Sequence, residues 1–535
     1  MEPRSFLSLR LPSASFAAAG LLLSLVAGCK GEPTKEGIVA LSAPAEAQPA
    51  ALDPAMEPKE GGPRIGAIEM AAPIFLKPDR RSPKIGYLRA GGTATRGEKP
   101  VAFDDCQGGY YKVLPAGYMC ASVEASTNMK HPILRALTKR PDLSKPMPYP
   151  YAFVRAIAPN YYRVPTKAEQ LQYEMSLEKH LRSYKKLKDK WDEINVGAND
   201  VPLGPEGMAI GDPPADPPEL SDSERFGGNG EDAIPWFFQG GRKIPNISTF
   251  KVPEYAIITN RVARKAGLAL IGTFVGPNER RFAMTTDARL VPTSKLKPAR
   301  GSTFHGIDMN KGWELPLGFV REPTTTTYDL TRLARDKKGE LSFHTPVQLT
   351  GRSKKLGDDR YVEAKDGTWI FDKHLAIAVK PSELPKFAAG TKKWIDISIL
   401  GQTLILYEGT KPVYATAIAT GRDGLGDPKK TFSTVRGTFK IRDKHITTTM
   451  DAHEVDNKFE LRDVPWVQYF EAGYAIHAAL WHDDFGRPRS HGCINLSPID
   501  ARRVFLWTDP PLPADWHGVS ASENTGEGTT VHIHP

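Results

Sequence analysis

One cysteine in this chain stands where it could act as a nucleophile. Cys493 lies in the run Ser490-His491-Gly492-Cys493-Ile494-Asn495, and a second histidine, His477, follows Ile476 upstream. A thiol attacks as its thiolate, and free cysteine ionises near about pH 8.5, so a neighbouring imidazole must take the proton or hold an ion pair. His477 and His491 compete for that task. Gly492 permits a tight turn that leaves the sulfur accessible. The backbone N–H groups of Gly492 and Cys493 could then form an oxyanion hole. Ser490 and Asn495 flank the sulfur as candidate substrate-binding residues. Arg487 and Arg489 precede it, and a guanidinium pairs with a substrate carboxylate as a two-pronged fork. Both arginines could equally be solvated loop charges. His482 lies between the two histidine positions, beside Asp483 and Asp484, in what reads as a lid or a solvated turn. A metal site would draw on His477, His482, Asp484, His491 and Cys493. None of the tight zinc spacings, such as Cys-x-x-Cys or His-Glu-x-x-His, is present, and no metal or organic cofactor is expected.

The Ser490–Asn495 block with its upstream histidine resembles the catalytic domain of L,D-transpeptidases, the YkuD-type fold. The resemblance covers residues 392–535. It extends to the opening Ile395-Asp396-Ile397-Ser398 and Gln402-Thr403-Leu404 strands, the Ala419-Thr420-Gly421 strand end and a glycine before Phe439. Two positions depart from the family's pattern. Thr434-Val435-Arg436-Gly437 stands where Thr-Pro-x-Gly is common, and Ala478 where Gly or Ser often follows the histidine. The resemblance implies Cys493 as nucleophile, His477 as general base and acid, and His491 in a supporting role. It also implies the reaction: attack on the amide between a diamino acid and the terminal D-Ala of a stem tetrapeptide, a thioester, and a 3→3 crosslink to a second stem. Water as acceptor would make an L,D-carboxypeptidase, and a protein lysine would make a protein-to-peptidoglycan ligase. A non-catalytic wall-binding lipoprotein is the alternative of a different class.

The positioning elements are mostly strands. Residues 394–409 alternate around a polar turn as a hairpin, 413–420 add a strand ended by Gly421, and 434–441 add another. Ser497-Pro498-Ile499-Asp500 supplies an N-cap, a first-turn proline and an early acid, so a helix starts just after the cysteine. The whole reads as mainly β, with a sandwich-like catalytic domain preceded by small barrels and a helical segment. Residues 64–125 resemble bacterial SH3-like modules. Cys106 and Cys120, fourteen positions apart, flank the Tyr110–Val113 strand. They could close a disulfide worth about 3 kcal/mol or remain buried thiols. Residues 126–250 read as a helical segment and long loops. Within it, 166–194 form one amphipathic helix opened by a Thr166/Glu169 capping box. Residues 251–385 read as one or two further SH3-like modules, with a hairpin turn at Asp366-Gly367.

The N-terminus carries an address. Arg4 and Arg10 precede an apolar stretch that ends in Leu25-Val26-Ala27-Gly28-Cys29, which resembles a lipobox with Cys29 as the lipidated residue. An uncleaved anchor is the other reading, though the stretch falls short of the about 20 apolar residues a span needs. Residues 30–63 are a Pro-, Ala- and Glu-rich tether. The chain is thereby expected in the cell envelope, membrane-anchored and facing the periplasm, with peptidoglycan stem peptides as partners. Lys and Arg number 71 against 62 Asp and Glu, for a net charge of +9 over 535 residues. That excess suits an anionic partner, but no basic run or zinc-finger spacing points to nucleic acid.

Overall fold

The computed structural model describes residues 53–187, 220–243, 247, 252–331, 334–451 and 460–535. The leader with Cys29, residues 30–52 of the tether and the end of the expected 166–194 helix lie outside them, whereas 53–63 rest against the first module, where Glu57 pairs with Lys112 at 2.7 Å. Among the described residues no helix is long and apolar enough to cross a membrane. Strands dominate throughout.

The first module holds β1 (Arg64–Ala67), β2 (Ala71–Phe75), β3 (Lys84–Arg89), β4 (Thr93–Thr95), β5 (Tyr110–Lys112), β6 (Tyr118–Cys120) and β7 (Ala125–Ser126). Cys106 and Cys120 are bonded, with Cα atoms 5.9 Å apart. The bond ties the turn before β5 to the end of β6, where Cys120 pairs with Tyr110. The module's core of Ile65, Ile74, Ile85, Leu88 and Met119 is completed by Trp516 and Val519 from the far end of the chain. Gly86 makes that approach possible: a Cβ there would sit 2.4 Å from the Trp516 ring.

After the short α1 (Pro132–Ala136) come β8 (Tyr151–Val154) and β9 (Ala158–Tyr161), then α2 (Lys167–Tyr173) and α3 (Leu177–Lys186). The capping box forms as expected, with Thr166 and Glu169 bonded reciprocally. The single helix does not. The chain breaks at Glu174–Ser176, where Ser176 adopts a φ of +51°. The break turns Glu174 into the interior, 2% exposed, where it meets Arg280 at 2.7 Å and Lys295 at 3.5 Å. Within the irregular stretch that follows, Phe226, Phe238 and Ile247 are buried and hold the chain to the fold.

Next are β10 (Ile258–Val262), β11 (Gly267–Val275), β12 (Arg281–Thr285), β13 (Leu290–Pro292) and β14 (Leu296–Ala299). They do not form a module with the strands after them. β11 and β14 pair with β8, and β10 and β13 pair with β9. The expected boundary at 250 therefore falls inside one sheet. β15 (Ile307–Asp308) joins the catalytic segment instead, pairing with Tyr414 and Ala415. A separate seven-stranded sheet holds β16 (Leu317–Val320), β17 (Thr324–Asp329), β18 (Asp336–Ser342), β19 (Pro346–Leu356), β20 (Asp359–Ala364), β21 (Trp369–Phe371) and β22 (Leu375–Ala378). The Asp366-Gly367 turn joins β20 to β21, with Glu363 opposite Trp369.

The last segment contains β23 (Lys393–Ser398), β24 (Thr403–Glu408), β25 (Lys411–Ala417), β26 (Gly437–Lys440), β27 (Asp443–Asp451), β28 (Glu460–Glu471), β29 (Tyr474–Ala478), β30 (Ile494–Leu496), α4 (Pro498–Trp507), β31 (Gly518–Ser520) and β32 (Thr530–His534). One sheet runs β15-β25-β24-β23-β32-β26, and β27 to β30 build the second. Ile395, Leu404, Leu406, Trp466, Ile476, Ile494, Val504 and Phe505 fill the core between the sheets and α4. α4 starts where the sequence places it, with Ser497 Oγ accepting from the Asp500 N–H at 3.1 Å.

The segment is not an independent bead on a string. β31 pairs with β3, and β28 runs beside β11. Asp463, on β28, lies where these pieces meet. Its carboxylate accepts from Arg89 on β3, Thr447 on β27 and Thr286 after β12, and its carbonyl accepts from the Tyr151 hydroxyl on β8. The side chains of Arg89 and Asp463 are 12% and 5% exposed. Removing one partner of such a pair strands a buried charge. Asp463→Ala is expected to lower the unfolding free energy in urea by about 3–5 kcal/mol, and Arg89→Met with Asp463→Leu to recover much of it. A single-variant loss below about 1 kcal/mol would show that the pair is not the joint.

Candidate active site

β29 and β30 run parallel, with Ile476 beside Ile494 and His477 beside Asn495. Extending that register by one residue sets Cys493 beside Ala475. Side chains alternate faces along a strand, so His477, Cys493 and Asn495 lie on one face. Tyr469, paired with Ala475 across β28, joins the same row. Cys493 is the free cysteine of the described residues, and it is half-exposed. Its Sγ lies 3.7 Å from the Gly473 carbonyl and accepts from the Ala475 N–H. Packing around the sulfur pushes the thiol's pKa up, and the Ala475 contact offsets this only in part.

His477 is 3% exposed, with Trp481 stacked obliquely beside it at 5.7 Å. Its Nδ1 is 3.0 Å from the Ala478 carbonyl. A carbonyl only accepts, so Nδ1 carries the proton and Nε2 keeps its lone pair. The contact uses the backbone of Ala478, so the departure from Gly or Ser there leaves it intact. Burial lowers the imidazole to about 4. At neutral pH the resting groups are thus a thiol and a neutral imidazole. The thiolate–imidazolium pair considered from sequence is disfavoured because it would place two charges in the interior.

The loop before the sulfur is braced from within. Ser490 Oγ accepts from the Gly492 N–H at 3.0 Å and donates to the Cys493 carbonyl. Ser490 is 7% exposed, and its N–H bonds to the Thr420 carbonyl. Its hydroxyl is a loop brace and not the substrate ligand expected from sequence. The Gly492 N–H is likewise engaged, which removes it from the expected oxyanion hole. Gly492 itself is required, since its φ is +125° and a Cβ would come 2.7 Å from the Tyr474 ring. Thr434 secures the loop from the other side: its hydroxyl donates to the Gly492 carbonyl at 2.8 Å and accepts from the Gly421 N–H at 2.9 Å. That threonine survives in the altered Thr-Val-Arg-Gly turn. His491 is exposed at the rim, edge-on to Phe432 at 4.7 Å, and the Arg422 guanidinium lies 4.1 Å from the same ring.

The segment 481–489 is neither lid nor solvated turn. His482 and Asp484 are 3% and 2% exposed. Arg489 bonds Asp484 at 3.0 Å, and Arg487 lies 3.7 Å from Asp484 and also pairs with Glu322. Both arginines expected either to bind substrate or to sit in solvent are instead tied to acids of the protein. The seven-stranded sheet clamps the loop: Arg321 donates to the Gly486 carbonyl at 3.1 Å, and Arg487 Nε donates to the Arg321 carbonyl at 3.1 Å. Asp483 bonds Ser302, and burial raises its pKa to about 7. Asn495 is 2% exposed, with its side-chain amide 3.0 Å from His482 Nε2. His482, read from the sequence as a loop residue or metal ligand, instead meets Asn495 on β30, thirteen positions away. Among the described residues no three His, Cys, Asp or Glu side chains converge as metal ligands would. His532 and His534 are half-buried on β32, and His534 lies 3.4 Å from Asp396.

Residues 392–533 match the profile of the YkuD family, the L,D-transpeptidase catalytic domain. Similar solved structures include an L,D-transpeptidase from Stackebrandtia nassauensis, 23% identical, with 28% of this chain and 57% of that one covered and a TM-score of 0.19. The catalytic domain of the E. faecium L,D-transpeptidase is 20% identical, covering 27% and 98%, with a TM-score of 0.21. An L,D-transpeptidase from Mycobacterium smegmatis is 16% identical, covering 49% and 93%, with a TM-score of 0.21. No curated protein matches the chain. The profile match falls on the segment that builds the cysteine–histidine face, and residues 392–533 are an L,D-transpeptidase catalytic domain of the YkuD family.

Proposed function

We propose that the protein is a cysteine acyltransferase that remodels peptidoglycan stems from a lipid anchor in the envelope. The observation that carries this reading is the shared face of Cys493 and His477, with the imidazole tautomer fixed by the Ala478 carbonyl. Cys493 Sγ attacks the carbonyl carbon between the diamino acid and D-Ala. Its proton passes to His477 Nε2. The C–N bond breaks, the proton goes to the departing D-Ala amine, and a thioester remains. An amine of a second stem attacks the thioester and gives its proton to His477. The C–S bond breaks, the sulfur is reprotonated, and a 3→3 crosslink results. Both charges appear only during transfer, which suits groups that rest neutral.

The leader and the Cys29 lipobox support the placement at a membrane facing the periplasm, with the 30–63 tether giving reach toward the wall. Water, a protein lysine or a D-amino acid would each resolve the same thioester to a different product.

Mass analysis after incubation with a tetrapeptide muropeptide is expected to show an adduct on the protein, with D-Ala released and a dimer formed. Cys493→Ala abolishes the adduct; a Cys493→Ala protein that still releases D-Ala would overturn the assignment. The pH dependence follows from the shifts. His477 stays neutral until pH falls toward about 4, so the acidic limb of adduct formation is expected there and not near the ordinary imidazole value. The raised thiol makes Cys493 alkylate with iodoacetamide more slowly at pH 7 than a free cysteine does. Fast alkylation at mildly acidic pH would show a resting ion pair after all.

A further inference from the structure

Away from the sulfur, a cavity of about 160 Å³ opens where the first module, the β8–β14 strands and the catalytic segment meet. Its walls come from the end of β3, the stretch after α1, β11, β27 and the stretch before β31, and neither Cys493 nor His477 lines it. Lys139 and Arg140 line it as well, and both are exposed to solvent, so the cavity is reachable from outside. Neither has an ion-pair partner among the described residues. Arg140 makes a long hydrogen bond, 3.4 Å, to the Ala90 carbonyl, and the acid that acts on its charge, Asp515, is held by Arg64 at 2.7 Å. Arg89 is matched by Asp463. The cavity therefore carries a surplus of positive charge.

Tyr149 lines the same space and is 4% exposed. Its hydroxyl has no hydrogen-bond partner among the described residues, and it feels the charges of both Arg89 and Arg140. A buried phenol ordinarily finds a partner. Leu137, Ile271 and Ile446 add apolar wall. An unmatched guanidinium, an unpartnered phenol and aliphatic carbon describe a ligand with an anionic head and a short alkyl body. A carboxylate meets a guanidinium as a two-pronged fork and accepts from a phenol. Drug-sized sites begin near about 300 Å³, so the body here is a few carbons long. We propose that this cavity binds a small aliphatic carboxylate, with its head on Arg140 and the Tyr149 hydroxyl and its alkyl part against Leu137, Ile271 and Ile446. Two sources present that head: a plain short-chain acid, and a free amino acid whose ammonium would turn to Asp515.

The test uses the full chain, with sodium butyrate and 2-aminobutyrate as probes. A ligand held only by the folded state raises the melting temperature. Butyrate is expected to raise it saturably, sodium chloride at the same strength not at all, and inorganic phosphate less. Tyr149→Phe removes only the unpartnered oxygen, so it melts at the wild-type temperature and binds butyrate about tenfold more weakly. Arg140→Gln loses at least as much affinity. A tighter response to 2-aminobutyrate than to butyrate identifies the amino acid as the source, and the reverse identifies the plain acid. No saturable rise with either probe overturns the inference, as does a rise that both variants keep, or a phosphate response equal to that of butyrate. A Tyr149→Phe protein that melts well below wild type would show the hydroxyl to be bonded within the fold, and overturns it too.

Discussion

A carboxylate as deeply enclosed as that of Asp463 persists only if its charge is met and its lone pairs are filled. Here four parts of the chain meet that demand together: β3 with Arg89, β27 with Thr447, the turn after β12 with Thr286, and β8 with Tyr151. Asp463 sits at a φ of +57°, a backbone region that costs a non-glycine residue energy, within the long strand that also flanks β29. The strand carrying the site's neighbours is thus held by groups from three upstream stretches. The shared core around Trp516 and the β3–β31 pairing act in the same direction. The catalytic segment and what precedes it form a common body because their polar and apolar closures are shared.

The site inherits its order from that body. Ser490 and Thr434 fix the turn before the sulfur, and Arg321, Arg487 and Glu322 pin the segment between His477 and Cys493 to the seven-stranded sheet. Two arginines that look like substrate-binding chemistry in the sequence are met by Asp484 and Glu322 and anchor this loop. What is left outside these ties is a small set: a sulfur, one ring nitrogen and the groups alongside them on a single sheet face.

The catalytic half of this arrangement was legible in the sequence, because its information is local. The alternation of 394–409 and the Ser497-Pro498 cap each specify a short stretch and form as read, and the Ser490–Asn495 run makes its turn with the Ser490 hydroxyl and the Gly492 N–H bonded to each other. The upstream half was not. β8 and β9 lie in a stretch that reads as helix and loops, and pairing β8 with β11 and β14, or β3 with β31, joins residues separated by over a hundred positions. Periodicity carries no record of which edge meets which. The break at Ser176 was hidden for the same reason: the 3.6-residue stripe continues through it, and only Arg280 and Lys295, far along the chain, explain why Glu174 turns inward. His482 looked like loop chemistry until its neighbours were in place.

The Cys106–Cys120 bond bears on the lone sulfur at 493. Three cysteines lie beyond residue 29, so oxidation has three ways to join two of them. Joining 106 to 120 closes a loop of 14 residues, whereas joining 120 to 493 closes one of 373. The scaling of chain entropy with loop length favours the short loop by about 3 kcal/mol, more than a hundredfold. The correct pairing is therefore the statistically favoured one even in an unfolded chain, and it consumes both rival thiols. The nearby pair thereby takes up the two thiols of the first module and leaves Cys493 as the free cysteine of the described residues.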